Sequence, residues 1–202
     1  MRLLLIAHAA TGAGAASGDG DLTAGARARA AEVGRLLPRP RSAFTSPAPY
    51  ARQTAAALGV SATVAGALAD WDLGRFAGRP PAALHAEAPD AVGAWRTDPA
   101  WAGHGGESLD ALLARAAGWL ALHESDPGTV AAVTHAAVVR AAVVVALPAA
   151  PRSFWTIDVA PCSVTELSRR DARWHVARVN WEPALLHIPQ RRGRRRHHQA
   201  PA

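Results

Sequence analysis

Two histidines of this 202-residue sequence follow short apolar runs, which places them where they could do chemistry together. His8 comes just after the run at residues 2–6, and His135 comes directly after residues 129–134. Such runs are typical of buried parallel strands, and open α/β sheets bind ligands beyond the carboxyl ends of their strands. We therefore expect the two imidazoles to face one another across a pocket. The alternative, that each histidine is only a structural hydrogen-bonding group, stays open on this observation alone.

The sequence blocks around and between these histidines are more specific. In chain order they read LLLIAHAAT (3–11), DLTAGARARA (21–30), FTSPAPYARQTAAALG (44–59), LADWDLGRFAGRP (68–80), GGES (105–108), VTHAAVVR (133–140) and FWTIDVAPCSVTEL (154–167). Their order and spacing resemble the histidine phosphatase superfamily, which also includes the cofactor-dependent phosphoglycerate mutases. The resemblance spans about residues 2–182.

The resemblance implies a phosphomonoester hydrolase that works through a phosphohistidine on His8. It implies that Asp70 protonates the leaving oxygen, and that Arg52 and a protonated His135 hold the phosphoryl oxygens, with a further hydrogen bond from Thr11. The chemistry fits these residue types. A neutral imidazole, with an ordinary pKa near 6.5, is a competent nucleophile. The loose transition state of phosphoryl transfer needs cationic donors around its oxygens.

The first block departs from the family pattern. The arginine that usually precedes the nucleophile is Ala7, and the glycine that usually follows it is Ala9. Loss of one transition-state donor costs roughly 10²–10³ in rate. Two alternatives remain: Arg75 or Arg79 replaces the missing arginine, or the chain is an impaired relative that binds a phosphorylated ligand or a protein partner.

Other candidates have structural alternatives too. Arg52 could lie on the solvent face of its helix, and His135 could be a packed core residue. Asp70 could be a turn residue, in which case Asp72 is its rival for the acid role. We predict surface positions for the histidines that have no convergent partner in the sequence, His85, His104 and His123.

The elements that would position these residues alternate between strand and helix. Strands are predicted at residues 2–6, 42–45, 61–64, 129–134, 154–159, 163–168 and 174–179. Helices are predicted at residues 24–37, 47–58, 108–123 and from 136 through 147, with short helical pieces at 82–87 and 91–95 in an otherwise irregular excursion. Thr23 and Ser108 are predicted N-caps. The alternation predicts a three-layer α/β sandwich, with a mostly parallel sheet and helices on both faces.

Length and composition fit one domain, since half of the residues are hydrophobic and domains commonly run about 100–200 residues. We predict a histidine phosphatase-like domain over residues 1–190 and a disordered arginine-rich tail over 191–202. The tail holds Arg191, Arg192, Arg194, Arg195 and Arg196, which account for most of the net charge of +6. Because the positive charge is concentrated there, the sequence does not favour a nucleic-acid partner.

The single cysteine, Cys162, excludes an internal disulfide. The apolar start is too short for a secretory or membrane segment. No metal-ligand spacing is evident. The sequence therefore favours a cytoplasmic protein without a membrane partner, metal or cofactor, whose partner is a small phosphorylated substrate.

Overall fold

The computed structural model describes residues 1–12 and 20–183, so the predicted tail lies outside the described residues. Its strands are β1 (Arg2–Ala7), β2 (Ser42–Thr45), β3 (Thr63–Val64), β4 (Thr129–Thr134), β5 (Val164–Arg170) and β6 (Arg173–Trp181). They form one sheet in the order β3-β2-β4-β1-β5-β6.

The sheet is mixed but mostly parallel, as predicted. The neighbours among β3, β2, β4 and β1 are parallel, whereas β5 and β6 run antiparallel at one side. In the central pair, Ala7 of β1 lies opposite Thr134 of β4. His8 and His135 therefore leave the same edge of the sheet side by side.

Helices cover both faces of the sheet, which confirms the three-layer prediction. The described helices are α1 (Ala24–Leu36), α2 (Pro49–Ala57), α3 (Pro81–Glu87), α4 (Pro89–Thr97), α5 (Leu109–Leu122) and α6 (Ala136–Ala146), of which α1 and α2 cover one face and α5 and α6 the other. Because side chains alternate along a strand, Leu4 and Ile6 of β1 pack with α1 and α2, while Leu3 and Leu5 pack with α5 and α6. Within the described ranges, no helix is long and apolar enough to cross a membrane.

Local chemistry sets the starts of two helices. The Thr23 hydroxyl accepts a hydrogen bond from the Ala26 N–H, and the Ser108 hydroxyl accepts one from the Ala111 N–H, each at 3.1 Å. Each bond satisfies one of the backbone donors that a helix start leaves free. Both predicted N-caps are confirmed.

The strand predicted at residues 154–159 is wrong. A 3₁₀-helix occupies Pro151–Thr156, and Phe154 is buried in the core at 1 % exposure. A short apolar run cannot be assigned to strand or helix by periodicity alone. Here Pro151, whose ring fixes φ near the helical value, starts the turn.

Two of the three histidines predicted at the surface are not surface residues. His104 is 2 % exposed, packs against the rings of Phe76 and Trp101, and accepts the Gly106 N–H at its Nδ1. His123 is partly buried and its ring packs against Phe44. Both histidines are in or beside turns that fold back onto aromatic side chains, and such contacts leave no periodic signal in the sequence. His85 is exposed, as predicted.

Candidate active site

The end of β1 fixes both the backbone and the ring of His8. Its backbone N–H donates to the Thr134 carbonyl of β4 at 2.8 Å. Its ring Nδ1 lies 2.9 Å from the Ala9 carbonyl oxygen. Because a carbonyl oxygen can only accept, Nδ1 carries the proton and Nε2 keeps its lone pair. Nε2 is therefore the atom of His8 that can attack an electrophile.

His135 lies beside His8, with 5.2 Å between the ring centroids. It is 1 % exposed, and its Nε2 lies 2.7 Å from the hydroxyl of Ser46. Ser46 is fully buried directly after β2, and its oxygen also accepts the Ala48 N–H at 3.2 Å. Ser46 was not among the residues predicted from the sequence. Its position directly after β2, like that of His135 directly after β4, could have placed it at this edge of the sheet.

Asp70 approaches the other nitrogen of His135. Its Oδ2 lies 3.2 Å from Nδ1 of His135, at ion-pair distance but without the alignment of a hydrogen bond. Its Oδ1 accepts the Trp71 N–H at 2.8 Å. The Asp70 side chain is 53 % exposed. Partial burial of the carboxylate opposes its charge, but contact with His135 outweighs burial and holds the pKa of Asp70 below its usual value.

The pKa of His8 is also lowered from its ordinary value of 6.5. Burial is the main cause, and the like charge of a protonated His135 acts in the same direction. The hydrogen bond to Ala9 and the charge of Asp70 oppose the shift without cancelling it. The neutral, nucleophilic form of His8 is therefore the favoured one at neutral pH.

Comparison with known proteins agrees with this geometry. The family model of the histidine phosphatase superfamily (branch 1) matches residues 3–182. The chain belongs to the histidine phosphatase superfamily. This confirms the resemblance found in the sequence. No curated protein matches the chain.

Solved structures with the same fold include phosphatases. A protein described as mycobacterial hydrolase 1 is 27 % identical with a TM-score of 0.78, and the match covers 90 % of this chain and 99 % of that one. Mycobacterial glucosyl-3-phosphoglycerate phosphatase, solved with inorganic phosphate, is 27 % identical with a TM-score of 0.78, covering 91 % and 97 %. The α-ribazole phosphatase of Shigella flexneri is 22 % identical with a TM-score of 0.75, covering 90 % and 97 %, and shows the shared fold.

In this family member, a tyrosine of α2 lies beside both His8 and His135. The Tyr50 ring lies 4.5 Å from that of His8 and 5.6 Å from that of His135, and Tyr50 is buried. One turn later, the Thr54 hydroxyl accepts the Ala9 N–H and donates to the Tyr50 carbonyl. Positions 50 and 54 therefore form the helix face that meets the His8 turn. Tyr50 was not predicted from the sequence, because the i, i+4 spacing of positions 50 and 54 does not say which face of α2 meets His8.

Arg52 lies elsewhere on the same helix. Residues two apart do not share a helix face, and Arg52 is exposed whereas Tyr50 is buried. Its guanidinium makes no hydrogen bond or ion pair with any residue in the described ranges. The structure thus does not bring Arg52 together with His8, and its phosphate-binding role stays a prediction.

The two arginines considered as replacements are also engaged away from His8. Arg79 pairs with Glu87, and the Arg75 guanidinium lies over the Phe76 ring at 6.0 Å. The charges that shift the pKa of His8 are those of His135 and Asp70. No arginine of the described part of the chain is among them.

The remaining predicted residues are placed as follows. Thr11 is half-buried and forms an isolated bridge to Leu22, so its contact with phosphate stays a prediction. Asp72 is exposed, and its carboxylate accepts the Gly74 N–H. It is Asp70 that meets His135. Among residues 1–12 and 20–183, no group of three histidine, cysteine or acidic side chains is arranged to hold a metal ion.

Proposed function

We propose that the chain is a phosphomonoester hydrolase that acts on a small phosphorylated substrate through a phosphohistidine on His8. The observation that carries this proposal is the free Nε2 of His8, held by the Nδ1–Ala9 bond beside His135 and Asp70. Family membership and the phosphatase neighbours support it.

In the first half-reaction, Nε2 of His8 attacks phosphorus as the ester P–O bond breaks. The leaving alkoxide takes a proton from Asp70. The pKa of Asp70 is low in the free protein. Asp70 can therefore carry this proton only if substrate binding raises its pKa. An incoming phosphate dianion does so, because a like charge at short range raises the pKa of a carboxyl group.

In the second half-reaction, water attacks the phosphohistidine. The ionised Asp70 accepts a proton from that water, the P–N bond breaks, and inorganic phosphate leaves with His8 restored. General acid–base catalysis of this kind contributes typically about 10²–10⁴ in rate. His135, when protonated, supplies positive charge beside the phosphoryl oxygens.

A second candidate function rests on the missing guanidinium groups. Position 7 is Ala7, the α2 wall beside His8 is Tyr50, and no described arginine acts on His8. Such a pocket suits an impaired relative that binds a phosphorylated ligand or a protein partner with little turnover.

A panel of phosphate monoesters separates the two functions. The proposal predicts hydrolysis of at least one small substrate by the wild type, and loss of that activity to background in His8→Ala. Asp70→Asn should lower kcat/KM for alkyl phosphates far more than for an aryl phosphate, because kcat/KM reports the first half-reaction and an aryl leaving group does not need the proton. Binding of inorganic phosphate without turnover of any monoester would favour the second candidate.

A further inference from the structure

Arg115 of α5 uses all five of its N–H donors, two on the side chain of Glu107 and three on backbone carbonyls of residues 67–70. Its Nε and Nη2 form a bidentate pair with Glu107 at 2.9 and 2.7 Å. Its Nη1 donates to the carbonyls of Ala67 and Ala69, both at 2.8 Å, and Nη2 also donates to the carbonyl of Asp70 at 3.2 Å. A guanidinium has five donors in a fixed planar fork, so none is left free here.

The three carbonyls belong to residues 67–70, the segment that ends at Asp70 and places its carboxylate beside His135. On its other side, the Leu68 carbonyl accepts the Thr134 hydroxyl at 2.7 Å, one residue before His135. The segment is thus held between α5 and the end of β4. The Arg115 bonds fix the backbone next to Asp70, and the Thr134 bond ties the same segment to the residue before His135.

Glu107 also holds the two residues that follow Asp70. Its backbone N–H donates to the Asp72 carbonyl, and its own carbonyl accepts the Trp71 indole N–H, both at 2.7 Å. The Arg115 and Glu107 side chains are 22 % and 16 % exposed. Because the pair is largely removed from water, its geometry is better defined than that of a surface ion pair.

We propose that Arg115, oriented by Glu107, is the positioning residue for the acid of this site, holding the Asp70 carboxylate against His135. The role of Asp70 as the acid rests on the proposed function. The contacts of Arg115 themselves do not depend on it.

Arg115→Lys is the sharpest variant, because it keeps the charge and the apolar stem but replaces the fork by a single ammonium. Three carbonyls and a carboxylate cannot all be held by that one nitrogen. A displacement of about 1 Å in a catalytic group can cost about 10²-fold in rate. We therefore expect kcat/KM on an alkyl phosphate to fall by up to about 10²-fold. With p-nitrophenyl phosphate, kcat/KM should change by less than about threefold, since it reports the first half-reaction only and this leaving group does not need the acid.

The chain offers a matched control in Arg2, which forms a bidentate pair with Glu166 at 2.7 and 2.9 Å. Arg2 begins β1, six residues before His8, or about 20 Å away along the strand. Arg2→Lys loses the same kind of fork at the far edge of the sheet. It should lower the melting temperature as Arg115→Lys does and leave the ratio of alkyl to aryl kcat/KM unchanged. Glu107→Gln, which keeps one acceptor oxygen, should shift that ratio in the same direction by less.

A second readout needs no activity. In the wild type and in Arg2→Lys, an NMR titration should find the Asp70 carboxyl pKa below its usual value, because His135 is in contact. In Arg115→Lys and Glu107→Gln the pKa should rise as that contact loosens. Equal losses on alkyl and aryl substrates, or an Asp70 pKa that both variants leave in place, would overturn the positioning role. If the wild type hydrolyses neither substrate, the proposed function fails, and the titration alone decides on Arg115.

Discussion

Beside His8, the neutral residue Ala7 stands where the family pattern has an arginine, and the neutral side chain of Tyr50 packs against the His8 ring. Asp70 adds a negative charge at the same place, balanced by His135 only when that ring is protonated. The pocket therefore offers a phosphate dianion less electrostatic stabilisation than one with a guanidinium fork.

Restoring a fork should strengthen phosphate binding. Tyr50→Arg places a guanidinium on the helix face that meets His8, and a charge-assisted hydrogen bond contributes about 1.5–3 kcal/mol. We expect the Kd of inorganic phosphate, measured by titration calorimetry, to fall by roughly 10–100-fold, which corresponds to that range of energies.

Arg52→Ala is the control for this experiment, because Arg52 is on the same helix but exposed. It should leave the phosphate Kd within about a factor of two, as surface changes usually have small effects. A large loss of affinity in Arg52→Ala would restore the role predicted for Arg52 from the sequence and contradict the account of a pocket without arginine.

The titration of His8 gives a second residue-level prediction. Burial lowers its pKa, so an NMR titration should find the pKa of His8 below 6.5. Asp70→Asn should lower the pKa of His8 further, because the negative charge of Asp70 favours the imidazolium form. A His8 pKa at or above 6.5, or an upward shift in Asp70→Asn, would show that the ring is not desolvated as described.

At the scale of elements, the carboxyl ends of β1 and β4 determine where His8 and His135 lie. The sequence predicts that His8 and His135 lie together, because both follow apolar runs and parallel strands present their carboxyl ends at one edge. Tyr50 and Arg115 could not be found in this way. Which face of α2 or α5 meets the site depends on how each helix rotates against the sheet, and a pattern of charges or aromatics along one helix does not determine that rotation.

Two glycine-containing turns lock the segment after Asp70 to the loop before α5. A methyl group on Gly106 would lie 2.2 Å from the Asp72 carbonyl oxygen and 2.6 Å from the Gly74 nitrogen. Both contacts are to backbone, so neither neighbour can rotate away. The close approach of these two turns requires glycine at position 106.

Gly106→Ala should therefore destabilise the protein by about 1–3 kcal/mol, as overpacking does, and should slow alkyl phosphate turnover by displacing the Asp70 segment. Gly118→Ala is the matched control. Gly118 lies within α5, where an added methyl group meets nothing within 4 Å, so the variant should gain up to about 1 kcal/mol of helix propensity. Urea unfolding measures both. Equal stability of the two variants would contradict the described packing of the turns.

At the scale of the whole molecule, the layered architecture followed from the sequence because strand and helix periodicities differ and both were visible. The apolar runs of β1 and β4 and the amphipathic pattern of α5 were sufficient to predict a sheet covered by helices. The 3₁₀-helix at Pro151–Thr156 was not predictable, because its aromatic residues pack against the core without a strand or helix period. This incorrect strand prediction does not change the prediction that His8 and His135 lie together at one edge of the sheet.

The central claim is that His8 receives the phosphoryl group, and trapping the phosphoenzyme tests it most directly. The wild type is mixed with a reactive aryl phosphate labelled at phosphorus, quenched rapidly, and the labelled peptide is identified. An acid-labile, alkali-stable label is expected on His8. It should be absent from His8→Ala and decay more slowly in Asp70→Asn, where the base for the attacking water is lost. A label that persists in His8→Ala, or substrate turnover by that variant at the wild-type rate, would contradict the central claim.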